Sequence, residues 1–419
     1  MVQIMRKMKD SGIEWIGEIP EGWELIKAKY LFSQRNEKGN STLVLLSPTQ
    51  KYGVIPQSQL EGVVQVKETT DLRAFKTIHI GDFVISLRSF QGGFEFSNYE
   101  GVCSPAYQVF HATKDLSNDF FRYLFKSDGF ISKINSLTVG IREGKNIQYW
   151  DFSNMLLAVP PKEIQIRSAQ YLNAKCTEID TMLSKTRSSI EEYKKLKQAI
   201  ITQAVTKGVR GEQKMKDSGV EWIGTYPSNW KIIKIKWLLH ERKDRSVTGL
   251  EEPLSMSQKK GLIPTKDMDS IPNMASSFIG AKLVYKGDLV FNKLKAHLGV
   301  FSVSKYNGLV SPDYAVYYST GPANLNFLEL LFKTPQYINE FKKKSSGVGA
   351  GLTRLYTGDL YSIYCALPPL VEQEEIADYL DIKCTEIDRL IAKKEQLVKE
   401  LESYKKSLIY EVVTGKREV

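Results

Sequence analysis

The side chains best suited to bind something lie in short, glycine-bearing stretches. One follows Gly81-Asp82 and a run of apolar residues: Arg88-Ser89-Phe90-Gln91-Gly92-Gly93. A like stretch follows Gly287-Asp288: Lys293-Leu294-Lys295-Ala296-His297-Leu298-Gly299. A second pair is Gly140-Ile141-Arg142-Glu143-Gly144-Lys145-Asn146 and Gly349-Ala350-Gly351-Leu352-Thr353-Arg354. Lys and Arg there can meet an anion, and Ser, Gln, Asn and His can add hydrogen bonds. Gly93 and Gly299 read as matching positions, where a missing side chain lets a ligand approach the backbone. Lys342-Lys343-Lys344 adds a compact cationic run. The plain alternative for each stretch is a solvated turn.

Nothing in the sequence assembles a reaction centre. Cys103, Cys176, Cys365 and Cys384 form no Cys-x-x-Cys pair, which argues against a zinc ribbon or a dithiol centre. His79, His111, His240 and His297 are scattered, with no His-Glu-x-x-His spacing. Packing or surface is the plain reading of each. There is no Walker A sequence, and no convincing cluster of carboxylates with a lysine to hold a metal. The expected catalytic residues, metals and cofactors are therefore none. Lys and Arg number 58 against 48 Asp and Glu, a net charge of +10 over 419 residues. That balance is compatible with a polyanionic partner such as nucleic acid, but is modest for the length. A chain 42% hydrophobic and 25% charged is neither disordered nor collagen-like. Every apolar run is broken too soon to span a bilayer. The segment Met1-Val2-Gln3-Ile4-Met5-Arg6-Lys7 lacks the apolar core of a secretory signal, so the cytoplasm is expected.

The elements that must position these stretches come twice. Met8-Lys9-Asp10-Ser11-Gly12-Ile13-Glu14-Trp15-Ile16-Gly17 returns as Met215-Lys216-Asp217-Ser218-Gly219-Val220-Glu221-Trp222-Ile223-Gly224. Gly81-Asp82 returns as Gly287-Asp288, Ser104-Pro105 as Ser311-Pro312, and Pro160-Pro161 as Pro368-Pro369. Cys176-Thr177-Glu178-Ile179-Asp180 returns as Cys384-Thr385-Glu386-Ile387-Asp388. The offset stays between 206 and 208, so the chain is one duplication and not a solenoid. A shared frame of Gly, Pro and apolar positions surrounds two diverged interiors.

Each copy reads as a mixed α/β lobe followed by a long helix, an α+β chain with a pseudo-two-fold internal repeat. The expected division is 1–160, 161–208, 209–367 and 368–419. Phe83-Val84-Ile85 and Leu289-Val290-Phe291 follow turn signals and read as strands. One helical stretch per lobe is expected, over 118–125 and 326–332, with Asn118 or Asp119 as the N-cap of the first. After Pro160-Pro161 no Pro or Gly occurs until Gly208, and after Pro368-Pro369 none until Gly415. Apolar residues there recur at steps of four and three. The seam includes Leu172, Ile179, Leu183 and Ile190 in one helix, and Leu380, Ile387, Ile391 and Leu401 in the other, with polar interruptions at matching places. At ~1.5 Å per residue each helix spans about 60 Å. Packing the two antiparallel, as in a coiled coil, would bury both stripes. The alternative is that each helix covers only its own lobe.

Taken together, these residues resemble the specificity subunit of type I restriction–modification systems. The resemblance rests on a Trp-x-Gly-x-x-Pro-x-x-Trp opening (Trp15, Gly17, Pro20, Trp23 and Trp222, Gly224, Pro227, Trp230). It also rests on the variable α/β lobe and the Pro-Pro-x-x-x-Gln that leads into each long helix. Pro368-Pro369-Leu370-Val371-Glu372-Gln373 fits the family's pattern better than Pro160-Pro161-Lys162-Glu163-Ile164-Gln165, which departs from it modestly. The resemblance covers essentially the whole chain.

It implies two target-recognition domains, each reading one word of a bipartite DNA site, and two antiparallel helices as spacer. The implied partners are double-stranded DNA, two methyltransferase subunits and motor–nuclease subunits, with catalysis left to them. Consistent with that, Val159-Pro160-Pro161-Lys162 and Leu367-Pro368-Pro369-Leu370 lack the polar first and aromatic last residue of an adenine methyltransferase turn. On this reading the DNA-contacting candidates are Arg88, Ser89, Gln91, Gly93, Arg142, Lys145 and Asn146 in the first lobe, and Lys293, Lys295, His297 and Arg354 in the second. Cations would meet phosphates, and Arg, Lys, Asn or Gln would read base edges. A stand-alone nuclease and a helical scaffold without a DNA role are the competing readings.

Overall fold

A computed structural model describes residues 6–38, 42–60, 72–86, 93–137, 147–258, 260–270, 277–347 and 353–419. The chain has the expected mixed class, with two long helices, and divides into two units. One contains residues 1–187 and 396–419, the other residues 188–395.

In the first unit an antiparallel sheet has the order Phe32–Arg35, Gln108–Ala112, Phe83–Ile85, Phe94–Phe96. Strand Phe83–Ile85 holds no polar residue because both its faces are covered. Phe83 and Ile85 enter a core with Phe32, Phe110, Phe125 and Phe152. Most of its rings meet edge-on or tilted, Phe32 and Phe121 at 5.2 Å and Phe110 and Phe152 at 4.8 Å between centroids, while Phe83 and Phe110 stack at 5.3 Å. Val84 points the other way, to Leu46, Val54, Ile78, Cys103 and Val109.

The helices differ from the sequence reading. Helix Asn118–Lys126 is capped by Ser117, whose side chain accepts from the Phe120 amide. Asn118 is not the cap, because its side-chain amide donates to the Gly81 carbonyl at 3.1 Å. Instead of one helical stretch there are three before the long helix, the others being Asp128–Ser136 and Tyr149–Ser153. They are too short to carry a periodic signal of their own. Tertiary burial of Phe130, Ile134 and Phe152 secures them.

The first long helix, Lys162–Lys207, has 46 residues and the second, Leu370–Val413, has 44. Gly208 and Gly415 stop them in the left-handed region, at φ 78° and 74°. Within the first unit Leu172, Cys176, Ile179 and Leu183 bury against Leu408, Val412 and Val413, with Val398 and Leu401 half-buried beside them. Lys405 reaches both oxygens of Asp180, at 2.6 and 2.7 Å, and Arg187 pairs with Glu402. Numbers rise along one helix as they fall along the other, so the two run antiparallel. The end of the second long helix also enters the first lobe's core. The Tyr410 hydroxyl donates to the Trp15 and Ile16 carbonyls, at 3.2 Å, and a Cβ at Gly415 would lie 2.5 Å from Pro20. The picture of each helix covering only its own lobe does not hold here.

The second unit repeats this design. Its sheet has the order His240–Glu241, Tyr314–Tyr318, Leu289–Asn292, Phe301–Val303. Leu289 and Phe291 face Phe301, Tyr317, Phe332 and Phe341, while Val290 faces Leu254, Leu262, Val284 and Val316. Asn324 caps helix Leu325–Phe332, and helices Pro335–Lys344 and Thr357–Ser362 follow. Ile190, Leu380 and Ile387 are buried and Ile391 is half-buried. Lys197 reaches Asp388, at 2.8 and 2.6 Å, repeating the ion pair of Lys405 and Asp180. Two polar interruptions of the seam, Lys197 and Lys405, are thus paired with carboxylates.

The Pro-Pro-x-x-x-Gln motif has a mechanical role in both units. Buried Gln165 donates to the Pro160 carbonyl, at 2.9 Å, and accepts from the Ser117 amide, at 2.8 Å. Buried Gln373 donates to Pro368 and accepts from the Asn324 amide, at 2.9 and 2.8 Å. Each glutamine therefore ties the start of a long helix to the cap of a lobe helix, satisfying backbone groups cut off from water.

Candidate nucleic-acid interface

The Gly-Asp turn anchors the start of the strand whose far end leads into the first candidate loop. Gly81 and Gly287 hold left-handed backbone, at φ 92° and 95°. The buried Asp82 carboxylate accepts from Arg35 Nε at 2.8 Å and from the His79 amide at 2.9 Å. Asp288 accepts from Arg242 Nε and Nη2, both at 2.8 Å, and from the Tyr285 amide at 2.9 Å. A fork of two parallel donors fixes the angle between turn and neighbouring strand. Arg242 is further held over the rings of Tyr285 and Tyr318, at 4.6 and 4.7 Å.

In the second lobe Lys293–Gly299 and the described end of the second stretch, Thr353-Arg354, meet at one end of the sheet, while Gly349, Ala350, Gly351 and Leu352 lie outside the described residues. Strand Leu289–Asn292 leads into Lys293, and the Lys293 carbonyl accepts from the Leu355 amide at 3.0 Å. Lys293 is half-buried. Burial, with Lys282 and Arg354 nearby, holds its ammonium below the usual lysine range. Lys295 is exposed. His297 is half-buried, with its Nδ1 buried and without a partner among the described residues. Arg354 pairs with Asp313 through Nη2 at 2.9 Å, while its buried Nε has no partner there. Lys342, Lys343 and Lys344 are exposed in the last turn of the helix that packs on this loop; Ile338 of that helix comes within 3.5 Å of a Cβ built on Gly299. The end is therefore cationic, with Asp313 and Glu340 as acidic counterweights.

The first lobe is less completely described at this end. Arg88, Ser89, Gln91, Arg142, Lys145 and Asn146 lie outside the described residues. What bounds the loops is visible. The Ser86 amide donates to the Gly93 carbonyl at 2.7 Å and closes the first loop. The second returns through buried Ile147 to Gln148, which accepts from Gln108, opposite Ile85 in the sheet.

The pairing of Gly93 with Gly299 needs correction. Ile85 faces Phe94 and Phe291 faces Phe301, and the Asn292 amide donates to Val300 as Ser86 does to Gly93. Gly93 therefore matches Val300. The offset drifts by one residue across the loop, which a count along the sequence cannot place. Gly299 is left-handed at φ 73° and ends a short 3-10 turn.

Sequence reasoning missed the side chains behind this edge. In the second lobe the Glu241 carboxylate accepts from Lys282 at 3.0 Å and from Thr357 at 2.8 Å, and Thr357 meets the Tyr317 hydroxyl at 3.0 Å. Burial pushes the Glu241 carboxyl up, but the hydrogen bonds from Thr357 and Lys282 outweigh it, leaving it below the usual carboxylate range. The first lobe has Gln34 at this place. Its amide donates to Gln108 at 2.7 Å, and Gln108 donates to Gln148 at 2.9 Å. The repeat offset aligns Gln34 with Glu241 and Arg35 with Arg242. Two polar residues in register inside an apolar frame were the available signal.

Among the described residues no group of three or more His, Cys, Asp or Glu could hold a metal, and no helix is long and apolar enough to cross a membrane. The cysteines are free, three of them buried.

No protein-family model matches the chain. Among curated proteins it is 22% identical, over 99% of its length and 98% of the relative's, to the type I restriction enzyme MjaVIII specificity subunit of Methanocaldococcus jannaschii. It is 24% identical, over 96% and 95%, to a protein of the same organism provisionally named the type I restriction enzyme MjaX specificity subunit. Among solved structures it superposes with TM-score 0.68, at 16% identity, on a chain from work on complex assembly and conformational transition of the type I restriction–modification system; the match covers 94% of this chain and 98% of that one. The HsdS subunit from Thermoanaerobacter tengcongensis matches with TM-score 0.55 at 17% identity, over 95% and 98%.

Proposed function

On the premise that this chain resembles type I restriction enzyme specificity subunits from end to end, we propose that it chooses the DNA sequence on which a methyltransferase and motor–nuclease complex acts. Residues 1–160 and 209–367 are the two target-recognition domains, and the helical segments 161–208 and 368–419 are the spacer. The site is two short words separated by a fixed gap of unread bases. The words differ, so the site is asymmetric. The chain itself makes and breaks no covalent bond; two methyltransferase subunits supply modification, and motor–nuclease subunits complete restriction.

One observation carries the reading. The two lobes keep the same sheet, turn and carboxylate fork, yet differ in the sequence of the loops and in the polar side chains at the far end of the strand that the fork anchors. A frame held constant with a variable edge is what two readers of different words require. The basic edge of the second lobe is assigned the phosphate contacts, through Lys293, Lys295 and Lys342–Lys344, and Arg354 and His297 are assigned contacts to bases or phosphates. In the first lobe Arg88, Ser89, Gln91, Gly93, Arg142, Lys145 and Asn146 are assigned the matching roles.

The test is to reconstitute the chain with its methyltransferase partner and map methylated bases on genomic DNA. The expected result is one asymmetric motif of two words with a constant gap, and insertion of one helical turn into both long helices changes the gap alone. A single continuous motif, or DNA cleavage by the chain without partners, contradicts the proposal.

A further inference from the structure

The lobes share a second surface, at the opposite end of each sheet from the candidate loops. In the first lobe Lys29 and Tyr30 sit on a short 3-10 turn, with Tyr30 60% exposed and the Lys29 ammonium 5.3 Å from its ring. In the second, Lys236 and Trp237 occupy the same place, with Trp237 64% exposed and the Lys236 ammonium 4.7 Å from its ring. Beside each turn a two-stranded ladder adds one more exposed apolar residue opposite a lysine. Leu156 pairs with Lys27 and is 40% exposed; Tyr364 pairs with Lys234 and is 38% exposed. Among the described residues none of the four lysines has a carboxylate partner.

The placement separates this surface from the DNA edge. Strand Tyr314–Tyr318 begins opposite Asn292, next to Lys293, and ends opposite His240. Beyond that end, a Cβ at Gly321 would meet the Trp237 carbonyl at 3.8 Å. Strand Gln108–Ala112 likewise begins opposite Ile85 and ends opposite Phe32, where the Thr113 amide donates to Leu31, next to Tyr30. The two ends of a five-residue strand lie about 13 Å apart.

We infer that each patch docks one copy of the same partner protein, through an apolar pocket rimmed by Asp and Glu. This deepens, and rests on, the proposed role in a methyltransferase complex. Two features select that occupant. The residue identities change between copies, Tyr to Trp and Leu to Tyr, but a large exposed apolar group flanked by lysines is kept, while the DNA edge is not kept. A surface held alike on two unlike readers suits a partner that is alike at both. The unpaired lysines give the sign of its rim, and an exposed aromatic anchor is the group that most often dominates such interfaces.

The test counts partner copies on the full-length chain by native mass spectrometry of the complex with its methyltransferase subunit. The wild type holds two. Lys236→Glu with Trp237→Ser, or Lys29→Glu with Tyr30→Ser, weakens one site about tenfold or more and leaves one copy; all four substitutions leave none. Lys236→Arg with Trp237→Tyr restores the second copy. All positions are exposed, and unchanged unfolding midpoints exclude misfolding. Two copies bound with wild-type affinity by the fourfold variant overturn the inference. So does intact stoichiometry with weaker DNA binding and a shallower salt dependence, which would make the patch a phosphate contact. A wild-type chain that takes up no partner overturns the proposed function and the inference with it.

Discussion

The two lobes treat one position of their sheets in opposite ways. Gln34 continues a neutral chain of amides through Gln108 to Gln148, while its counterpart Glu241 is charged and is met by Lys282 and Thr357. At the very next residue both lobes keep the same arginine–carboxylate fork, Arg35 with Asp82 and Arg242 with Asp288. A buried charge is tolerated only with its partner, so changing Gln to Glu required a changed neighbourhood. The fork is kept because in each lobe it satisfies a buried carboxylate and anchors the start of the strand that leads to the loop. The side chains around the loop did drift, and such divergence is what the proposed reading of two different words requires.

The comparison is broken most severely at the fork. Arg35→Met and Arg242→Met each leave a buried carboxylate without its cation, and each should destabilise its own lobe by about 3 kcal/mol. Chemical denaturation with a fluorescence probe in each lobe measures this; unequal losses would mean that the forks are not equivalent parts of a shared frame. The loops come next. Lys295→Ala should weaken binding to the second word and Arg88→Ala to the first, each by about 1 kcal/mol and with a salt slope smaller by about 0.9 if a phosphate contact is lost. Titration against duplexes carrying one mutated word separates the two effects, and a variant that weakens both words equally would deny independent reading.

Acid should then distinguish the lobes. Glu241 has its carboxyl held below the usual value of 4.5, so the stability it contributes is present above that pH and is lost as pH falls through the lower folded value. The stability difference between wild type and Glu241→Gln should shrink as pH drops below 4.5. A difference that is flat with pH would remove the charged network from the account. The smallest effect belongs to the helix pairs. Lys405 with Asp180 and Lys197 with Asp388 are partly exposed, so Lys405→Met and Lys197→Met should each change stability by less than about 1 kcal/mol, and alike.

The duplication, the long helices and the strands after each Gly-Asp turn were legible because they rest on local pattern: repeated motifs, a heptad stripe without Pro or Gly, and apolar runs after turns. Helices Asp128–Ser136 and Pro335–Lys344 were not, since at nine and ten residues they depend on burying Phe130 and Phe341 in a core assembled elsewhere. The Ser117 cap was missed because Asn118, the stronger nominal candidate, is drawn away to Gly81. The fork and the Glu241 network join residues distant in the chain, which no periodicity reveals. The candidate loops were found from glycine and charge, and in the second lobe they converge. The match of Gly93 to Gly299 failed by one residue because loop length is free to vary where no ladder fixes register.

The central claim is that each lobe reads its own word. The most direct measurement replaces residues 209–367 with a second copy of residues 1–160, joined to the same helices, and maps the methylated motif of the reconstituted complex. The account predicts a symmetric site in which the first word occurs twice and the second is gone. Retention of the original second word, or a motif related to neither, would contradict it.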